Sequence, residues 1–356
     1  MSARSPAGLK TDAAPFPRLT GSRSLTGDGS PTGLLIHVRC PPGWDARVVN
    51  EDQPIVLVGS RQLPQGEDDS RGLASSITGQ GWPVRWASWD DTDVDWLNCP
   101  LAVLRTPWDY THRLTEFLAW ADAVPRLANS AAVVRWNSDK RYLQDLETAG
   151  VPIVPTVWVH AGHEDLPAYR FTAWGGDVVV KPTVAAGGRG AKRIASGADL
   201  PANVNAHTRV LHAENHVAMV QPYLEGVETE GETSLIFLGG RYSHAVSRGA
   251  VLRNADPAGQ PTSLAGQRGE STPRSAPRQA ASEQLELAHA ALAAIPGAPG
   301  LLYARVDVLP DSDGFVVGEL ELIEPTLFLQ TSPTATARFA EVIGSHADRS
   351  NPPTGL

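Results

Sequence analysis

Residues 301–328, LLYARVDVLPDSDGFVVGELELIEPTLF, constrain the fold more than any other stretch. They read as a hairpin. Residues 302–308 alternate large apolar side chains with Arg305 and Asp307, which is the period of a strand with two unlike faces. Pro310, Asp311, Ser312, Asp313 and Gly314 supply the turn. Residues 315–324 return, and simple alternation puts Glu319, Glu321 and Phe315 on one face, with Leu320 and Leu322 on the other. Two carboxylates two residues apart on one face repel each other, and Asp307 on the partner strand would add a third. If such a trio is buried it needs compensation. The simplest compensation is a hard cation, and carboxylate oxygens suit Mg²⁺. An edge strand with a wet acidic face fits the same spacing equally well.

The 356 residues suggest two or three domains with ample core. A net charge of −9 argues against general electrostatic attraction to nucleic acid. The two cysteines, Cys40 and Cys99, have neither metal-ligand spacing nor the number for a disulfide framework. Residues 1–18 lack the apolar segment of a signal peptide, and no apolar run approaches transmembrane length. A cytoplasmic protein with no membrane partner is the expectation. Residues 1–30, rich in Ser, Gly, Pro and Thr, are expected to be disordered. Strands are expected at 33–38, 54–58, 82–87 and 99–105, and an amphipathic helix at 110–123 with Leu114, Phe117, Leu118 and Ala121 on one stripe. This alternation predicts an α/β domain with a mostly parallel sheet over residues 31–125. In such sheets ligands sit beyond the carboxyl ends of strands. The loop carrying Arg105 and Asp109 follows such an end, although a capped helix start explains it as well.

Residues 126–346 are read as a second domain. Asn137 or Ser138 is the expected N-cap of a helix ending at Ala149 and Gly150. The prolines at 152 and 155 make residues 151–156 extended. A strand at 177–182 ends in Lys181, and the loop 183–190 follows with Gly187, Gly188, Arg189 and Gly190. Another strand at 217–224 runs into Glu225, Glu228, Glu230 and Glu232. Residues 233–238 and 241–246 form a hairpin across Gly239 and Gly240. A smaller subdomain is expected at about 155–222, and a mobile loop at about 254–280, where Pro, Gly, Ser, Gln and Arg dominate. Helices are expected at 282–294 and 332–343, with residues 347–356 as a tail.

Lys181 at a strand end, followed by a glycine-rich loop with Arg189, can cradle polyphosphate, because small residues let backbone N–H groups approach. It is not a P-loop, since no Gly-Lys-Ser/Thr stands at the required spacing. A flexible surface turn is the commoner outcome for such a loop in isolation. Lys140, Glu232, Arg248 and Arg253 are each equally ordinary as surface residues. No histidine pairs with Ser or Cys in a nucleophile motif, so a hydrolytic triad has no support. His37 and His244 are read as structural.

The order of these signals is more specific than any one of them. Residues 125–345 resemble the ATP-grasp superfamily. The resemblance implies an α/β (α+β ATP-grasp) fold behind the N-terminal α/β domain, with ATP held between a lid subdomain and a C-terminal subdomain. It implies Asp307, Glu319 and Glu321 as metal ligands, although many members carry Asn at the last position. Lys140 and Lys181 match the nucleotide-phosphate lysines, and Gln221, Pro222, Tyr223 and Leu224 the adenine hinge. Glu232 matches the ribose acceptor, and the loop with Gly187 and Gly188 the phosphate lid. WNSDKRYL at 136–143, VPT at 154–156, VKP at 180–182, VETEG at 227–231, YSHAV at 242–246 and ELELIEP at 319–325 resemble a narrower group. That is the O-ureido-serine cyclo-ligase-like group associated with cycloserine biosynthesis, and WDY at 108–110 also fits it.

This chain departs from that group at 247–254, SRGAVLRN, where Arg248 stands for the usual lysine and Arg253 for a more distant arginine. The resemblance implies an ADP-forming carboxylate–amine ligase working through an acyl phosphate on a small amino-acid-like substrate, giving an amide or a cyclic amide. ATP and two Mg²⁺ ions, with Mn²⁺ as a substitute, would be its cofactors. Arg248, Arg253 and Lys181 would be its catalytic residues, and a homodimer its assembly. A phosphotransferase using the same site, and a degenerate nucleotide-binding module, remain open as alternatives. Asp307→Asn and Glu319→Gln are both expected to abolish turnover while leaving folding largely intact.

Overall fold

A computed structural model describes residues 53–163, 166–250, 252, 275–297 and 300–349. The segment 1–30, the strand at 33–38 with His37, Cys40, Arg253 and most of the stretch 254–280 lie outside the described residues.

Strands β1 (Ile55–Gly59), β2 (Val84–Ser88), β3 (Ala102–Leu104) and β4 (Leu127–Ala128) form a parallel sheet in the order β2-β1-β3-β4. The central strands are buried on both faces, so they read as continuous apolar runs. Val56, Val58, Ala102 and Leu104 meet Phe117 and Ala121 of the helix Leu114–Ala123. Ile55, Leu57 and Val103 meet Leu73, Ile77, Phe339 and Ile343. The helix expected from residue 110 begins only at Leu114, because Trp108–His112 forms a 3-10 turn and Arg113 leaves helical geometry. Arg113 is held by Asp90 at 2.7 Å and Glu116 at 2.7 Å, over the Trp89 ring. The tighter turn sends Tyr110 inward, where it is buried.

Strands β5 (Val157–Val159), β6 (Val178–Pro182), β7 (Lys192–Ile194) and β8 (Ala218–Pro222) form an antiparallel sheet in the order β5-β8-β6-β7. Val178, Val180, Ile194, Ala218 and Val220 pack with Leu200, Val204 and Leu211 of the helix Leu200–Ala213. The alternate residue Lys181 leaves that core.

The third sheet holds β9 (Glu232–Leu238), β10 (Arg241–Arg248), β11 (Ser275–Arg278), β12 (Tyr303–Asp311) and β13 (Gly314–Glu321), antiparallel in the order β11-β10-β9-β12-β13. The β9–β10 hairpin turns at Gly239 and Gly240 as expected. Residues 275–278 are a paired strand and not part of a loop. Arg278 anchors that strand by donating to Thr233 Oγ1 at 2.9 Å and to the Glu230 carbonyl at 3.0 Å. The helix Ser282–Ala293 covers one sheet face, and the closing helix runs over Ala335–Arg349, further than its apolar stripe suggested.

Two local corrections matter for the site. In the β12–β13 pair Asp307 faces Glu319, but Val308 faces Val317, so Gly318 is an extra residue in a β-bulge. A Cβ on Gly318 would lie 2.3 Å from Leu309 Cδ1, which explains the glycine. The bulge inverts the alternation behind it. Phe315 therefore packs with Val317 and Leu320 on the core face, not beside Glu319. The second correction concerns Asn137. It ends the helix Ala131–Asn137, and a separate helix, Tyr142–Thr148, follows, so neither Asn137 nor Ser138 is an N-cap. The Asn137 amide instead donates to the Leu320 carbonyl at 2.7 Å and accepts from Leu322 N–H at 2.8 Å. Those bonds fix the strand on either side of Glu321.

Candidate active site

Asp307, Glu319 and Glu321 each offer a carboxylate oxygen, and those oxygens lie within 4.8 Å of one another. The bulge at Gly318 achieves this by bringing Glu319 opposite Asp307 on one face. Asp307 is 1% exposed, and its two oxygens accept four hydrogen bonds. Oδ1 takes Ser234 Oγ at 2.6 Å and Arg305 Nε at 2.9 Å. Oδ2 takes Arg248 Nη2 at 2.6 Å and Arg305 Nη2 at 2.8 Å. Burial opposes the charge of Asp307, but Arg248 and Arg305 outweigh it and hold the carboxyl well below its usual range.

Arg305 also grips Glu321, and Arg248 also grips Glu232. These two acids remain poorly compensated. Burial, with Glu319 and Asp307 nearby, raises Glu321 to about 7. Burial and the neighbouring Asp307 raise Glu232 to about 8. Glu319 is 30% exposed and pairs with Lys140 Nζ at 3.0 Å. Burial pushes its carboxyl up, but Lys140 and Lys181 prevail and lower it.

Lys140 ties the loop 183–190 to this cluster. Its Nζ donates to the Ala185 carbonyl at 2.8 Å, and its backbone N–H to the Thr183 carbonyl at 2.8 Å. The Lys181 side chain forms no ion pair or hydrogen bond among the described residues, and burial lowers its pKa. A half-buried ammonium with no direct ion pair, only the more distant field of Glu319, gains from the arrival of an anion. Gly187 and Gly188 adopt φ of +63° and +73°, conformations that glycine reaches without strain. Arg189 fastens the same loop to the N-terminal sheet domain by donating to Thr111 Oγ1 at 2.9 Å and contacting His112. A cavity of about 250 Å³ opens there, lined by Thr111, His112, Ala185 and Arg189 among others. It lies beside the carboxylate cluster and not on it.

The residues expected to meet adenine, Gln221, Pro222, Tyr223 and Leu224, stand at the end of β8. Gln221 is buried and donates to Thr156 Oγ1 at 2.9 Å. Tyr223 N–H donates to the Asp177 carbonyl at 2.9 Å, and the Arg193 guanidinium stacks 3.5 Å from the Tyr223 ring centroid. Pro222 closes β8, and the Leu224 carbonyl accepts from Val227 N–H at 3.1 Å. Arg253 lies outside the described residues. Arg105, read from the sequence as a loop residue, is fully buried and no lining residue. It lies over the rings of Tyr303 and Phe339 and donates to the Pro325 carbonyl at 3.3 Å. Asp109 accepts from Trp89 Nε1 at 3.0 Å. His244 is structural as expected, its ring bridging the carbonyls of Leu327 and Phe328.

Three residues beyond the sequence reading belong here. Arg305 was legible as the same-face neighbour of Asp307 at a spacing of two. Ser234 follows from Glu232 by the same period. Glu324 has no periodic signal, because it lies past the end of β13, yet its backbone carbonyl accepts from Trp108 Nε1 at 3.4 Å beside the turn that carries Tyr110. Burial and Glu321 raise the Glu324 carboxyl to about 8.

A hard-oxygen trio, two lysines and a glycine-rich loop between two antiparallel sheets define a nucleotide-using enzyme of the ATP-grasp class. Comparison with known proteins agrees. Residues 55–129 match the family described as the D-cycloserine synthetase DcsG N-terminal domain. The chain is 38% identical over 267 residues to the cycloserine biosynthesis protein DcsG of Streptomyces lavendulae, covering 72% of this chain and 86% of that one. The crystal structure of D-cycloserine synthetase DcsG superposes with a TM-score of 0.72 at 33% identity, over 83% of this chain and 99% of that one. A RimK-domain ATP-grasp protein from Sphaerobacter thermophilus shares the fold, with a TM-score of 0.56 at 15% identity, over 81% of this chain and 98% of that one. The chain belongs to the DcsG family of ATP-grasp ligases, which are ATP-dependent, ADP-forming enzymes that make C–N bonds. A divalent metal is part of that chemistry. No helix among the described residues is long and apolar enough to cross a membrane.

Proposed function

We propose that the chain closes or joins a small amino-acid-like carboxylate to an amine through an acyl phosphate, giving a cyclic or linear amide of the cycloserine type. The observation that carries this reading is the carboxylate trio within 4.8 Å, facing Lys140 and Lys181, in a chain 38% identical to DcsG. Three carboxylates with hard oxygens fit Mg²⁺, or Mn²⁺ in its place. Glu319 and Glu321, 30% and 25% exposed, keep faces open to it. Two such ions, held by Asp307, Glu319 and Glu321, would supply charge neutralisation for phosphoryl transfer when bound.

The protein's own residues supply the rest. Lys181, with no direct ion pair among the described residues, and Lys140 take the nucleotide phosphates. The loop with Gly187 and Gly188 covers them and, latched by Arg189, excludes water from an intermediate that water would destroy. Gln221, Pro222, Tyr223 and Leu224 receive adenine, and Glu232 the ribose. Arg248 and Arg253 offset charge on the transferring group, with Arg248 leaving Asp307 to do so. In domain terms, the described part of the N-terminal domain, residues 54–125, and the cap of 155–222 would enclose the substrate against the described part of 126–346. A cytoplasmic homodimer completes the proposal.

The test is phosphate release from ATP and Mg²⁺ with a panel of amino acids and small carboxylates, with hydroxylamine as surrogate amine. Hydroxamate with one acid supports acyl-phosphate chemistry. A stable phosphorylated acid with no hydroxamate would replace the ligase by a phosphotransferase.

A further inference from the structure

We propose that Arg248 is the gate of the metal site: a divalent cation takes Asp307 only by displacing the Arg248 guanidinium from it. The proposal rests on the reading above, which places the metal at Asp307, Glu319 and Glu321, and it names the residue that controls metal loading there.

The acceptor sites of Asp307 are fully committed. A carboxylate offers about four of them. Ser234 Oγ at 2.6 Å and Arg305 Nε at 2.9 Å occupy Oδ1, and Arg248 Nη2 at 2.6 Å and Arg305 Nη2 at 2.8 Å occupy Oδ2. A cation that coordinates either oxygen must send a donor away. Releasing the neutral Ser234 hydroxyl would leave the newcomer facing both guanidinium groups, so the donor that leaves is a cation. Arg305 is fixed. Its side chain is 6% exposed, grips Asp307 with two nitrogens, and also holds Glu321 and the Thr326 carbonyl at 3.3 Å beneath the Phe328 ring. Arg248 is 19% exposed, makes one bond to Asp307, and stands at the last residue of β10.

The sheet register also gives Arg248 a place to go. Arg248 pairs with Glu232 across β9–β10, and Ser234 pairs with Asp307 across β9–β12. Its Nη2 group therefore donates to Glu232 as well as to Asp307, and its Nε to Ser234 Oγ at 2.9 Å. A guanidinium has five donors in a planar fork, so it can give up Asp307 and still be held by Glu232. The swing is short and does not expel the charge into solvent. This is also the position where arginine stands for the lysine usual in the O-ureido-serine cyclo-ligase-like group. An ammonium has no Nε to hold Ser234 while its head meets the acids. The arginine thus makes a firmer gate than the lysine it replaces.

The test uses the full-length enzyme without nucleotide and Mn²⁺ alone as the probe, with free Mn²⁺ read by electron paramagnetic resonance. Arg248→Gln removes the competing cation and should tighten Mn²⁺ binding about tenfold to a hundredfold, the worth of a charged hydrogen bond. Arg248→Lys keeps the charge but loses the fork, and should tighten it by about threefold or more. This milder variant leaves every acid a cation and carries the test if Arg248→Gln does not fold. Glu319→Gln added to either variant should erase the gain. Unchanged Mn²⁺ affinity in Arg248→Gln overturns the proposal alone. So does a gain in Arg248→Gln with none in Arg248→Lys, which would make Arg248 a repelling charge and not a competitor for Asp307. Mn²⁺ binding that Glu319→Gln leaves untouched lies outside the trio; that result overturns the metal placement in the ligase reading, and the gate falls with it.

Discussion

Asp307→Asn and Glu319→Gln make a decisive pair, because the two proposed ligand positions sit in unlike surroundings. The sequence gives no reason to separate them, and both are expected there to spare the fold. In the structure Asp307 is 1% exposed and receives four hydrogen bonds, three from the guanidinium groups of Arg248 and Arg305. An asparagine keeps one acceptor oxygen and turns an NH₂ toward those cations. Removing one partner of a buried ionic group costs about 3–5 kcal/mol. With a shift of roughly 2–4 °C per kcal/mol, the melting temperature should fall by about 6 °C or more. Glu319 is 30% exposed and pairs with one lysine, so Glu319→Gln should cost about 1 kcal/mol or less after solvent screening. Urea unfolding of both variants without nucleotide, at neutral pH and with unchanged slope, measures the difference. The Asp307 charge also has a pH signature. Its folded pKa is depressed, so its stabilisation is present above the unfolded value and disappears as pH falls through the folded one. Asp307→Asn should lack that acid-side loss. Equal urea midpoints for the two variants would refute the claim that Asp307 is a structural counter-ion as well as a proposed ligand.

Further tests address the bulge, the proposed phosphate lysine and pH. Gly318→Ala should destabilise by about 1–3 kcal/mol through overpacking, because the new Cβ would lie 2.3 Å from Leu309 Cδ1; adding Leu309→Ala should recover most of the loss in a double-mutant cycle. Lys181 has a lowered folded pKa, and its side chain has no direct ion pair among the described residues, so folding disfavours its charged form over the whole range below that value. Lys181→Met should therefore raise the melting temperature of the nucleotide-free protein while erasing the gain that Mg²⁺–ATP gives the wild type, and a variant that loses both would contradict this. Glu232 and Glu324 have folded pKa values raised to about 8, so the fold prefers their protonated forms. Stability of the nucleotide-free enzyme should decline from pH 5 to pH 8, and saturating Mg²⁺–ADP should flatten that decline; a flat profile without ligand would count against acids whose charge burial opposes.

The strands that carry the chemistry were legible because strand periodicity is strict. Val178–Pro182 delivers Lys181, and the β12–β13 hairpin delivers the trio. What escaped was whatever departs from periodicity. Gly318 could have flagged a bulge, since glycine weakens a strand interior unless the backbone requires it, and reading it so would have moved Phe315 to the core. Asn137 looked like a cap because caps and strand clamps use the same amide chemistry; only the third dimension shows Leu320 and Leu322 as its partners. Glu324 and Trp108 lie 216 residues apart in a strand exit and a 3-10 turn, elements without a repeating pattern. The contrast has a physical origin. Groups that bind the invariant parts of the reaction, phosphate and metal, need several charges on one rigid face, and a strand writes such a face into its sequence as alternation. Groups that choose a substrate need only one or two contacts from whichever loops border the cavity, and single contacts leave no period to read.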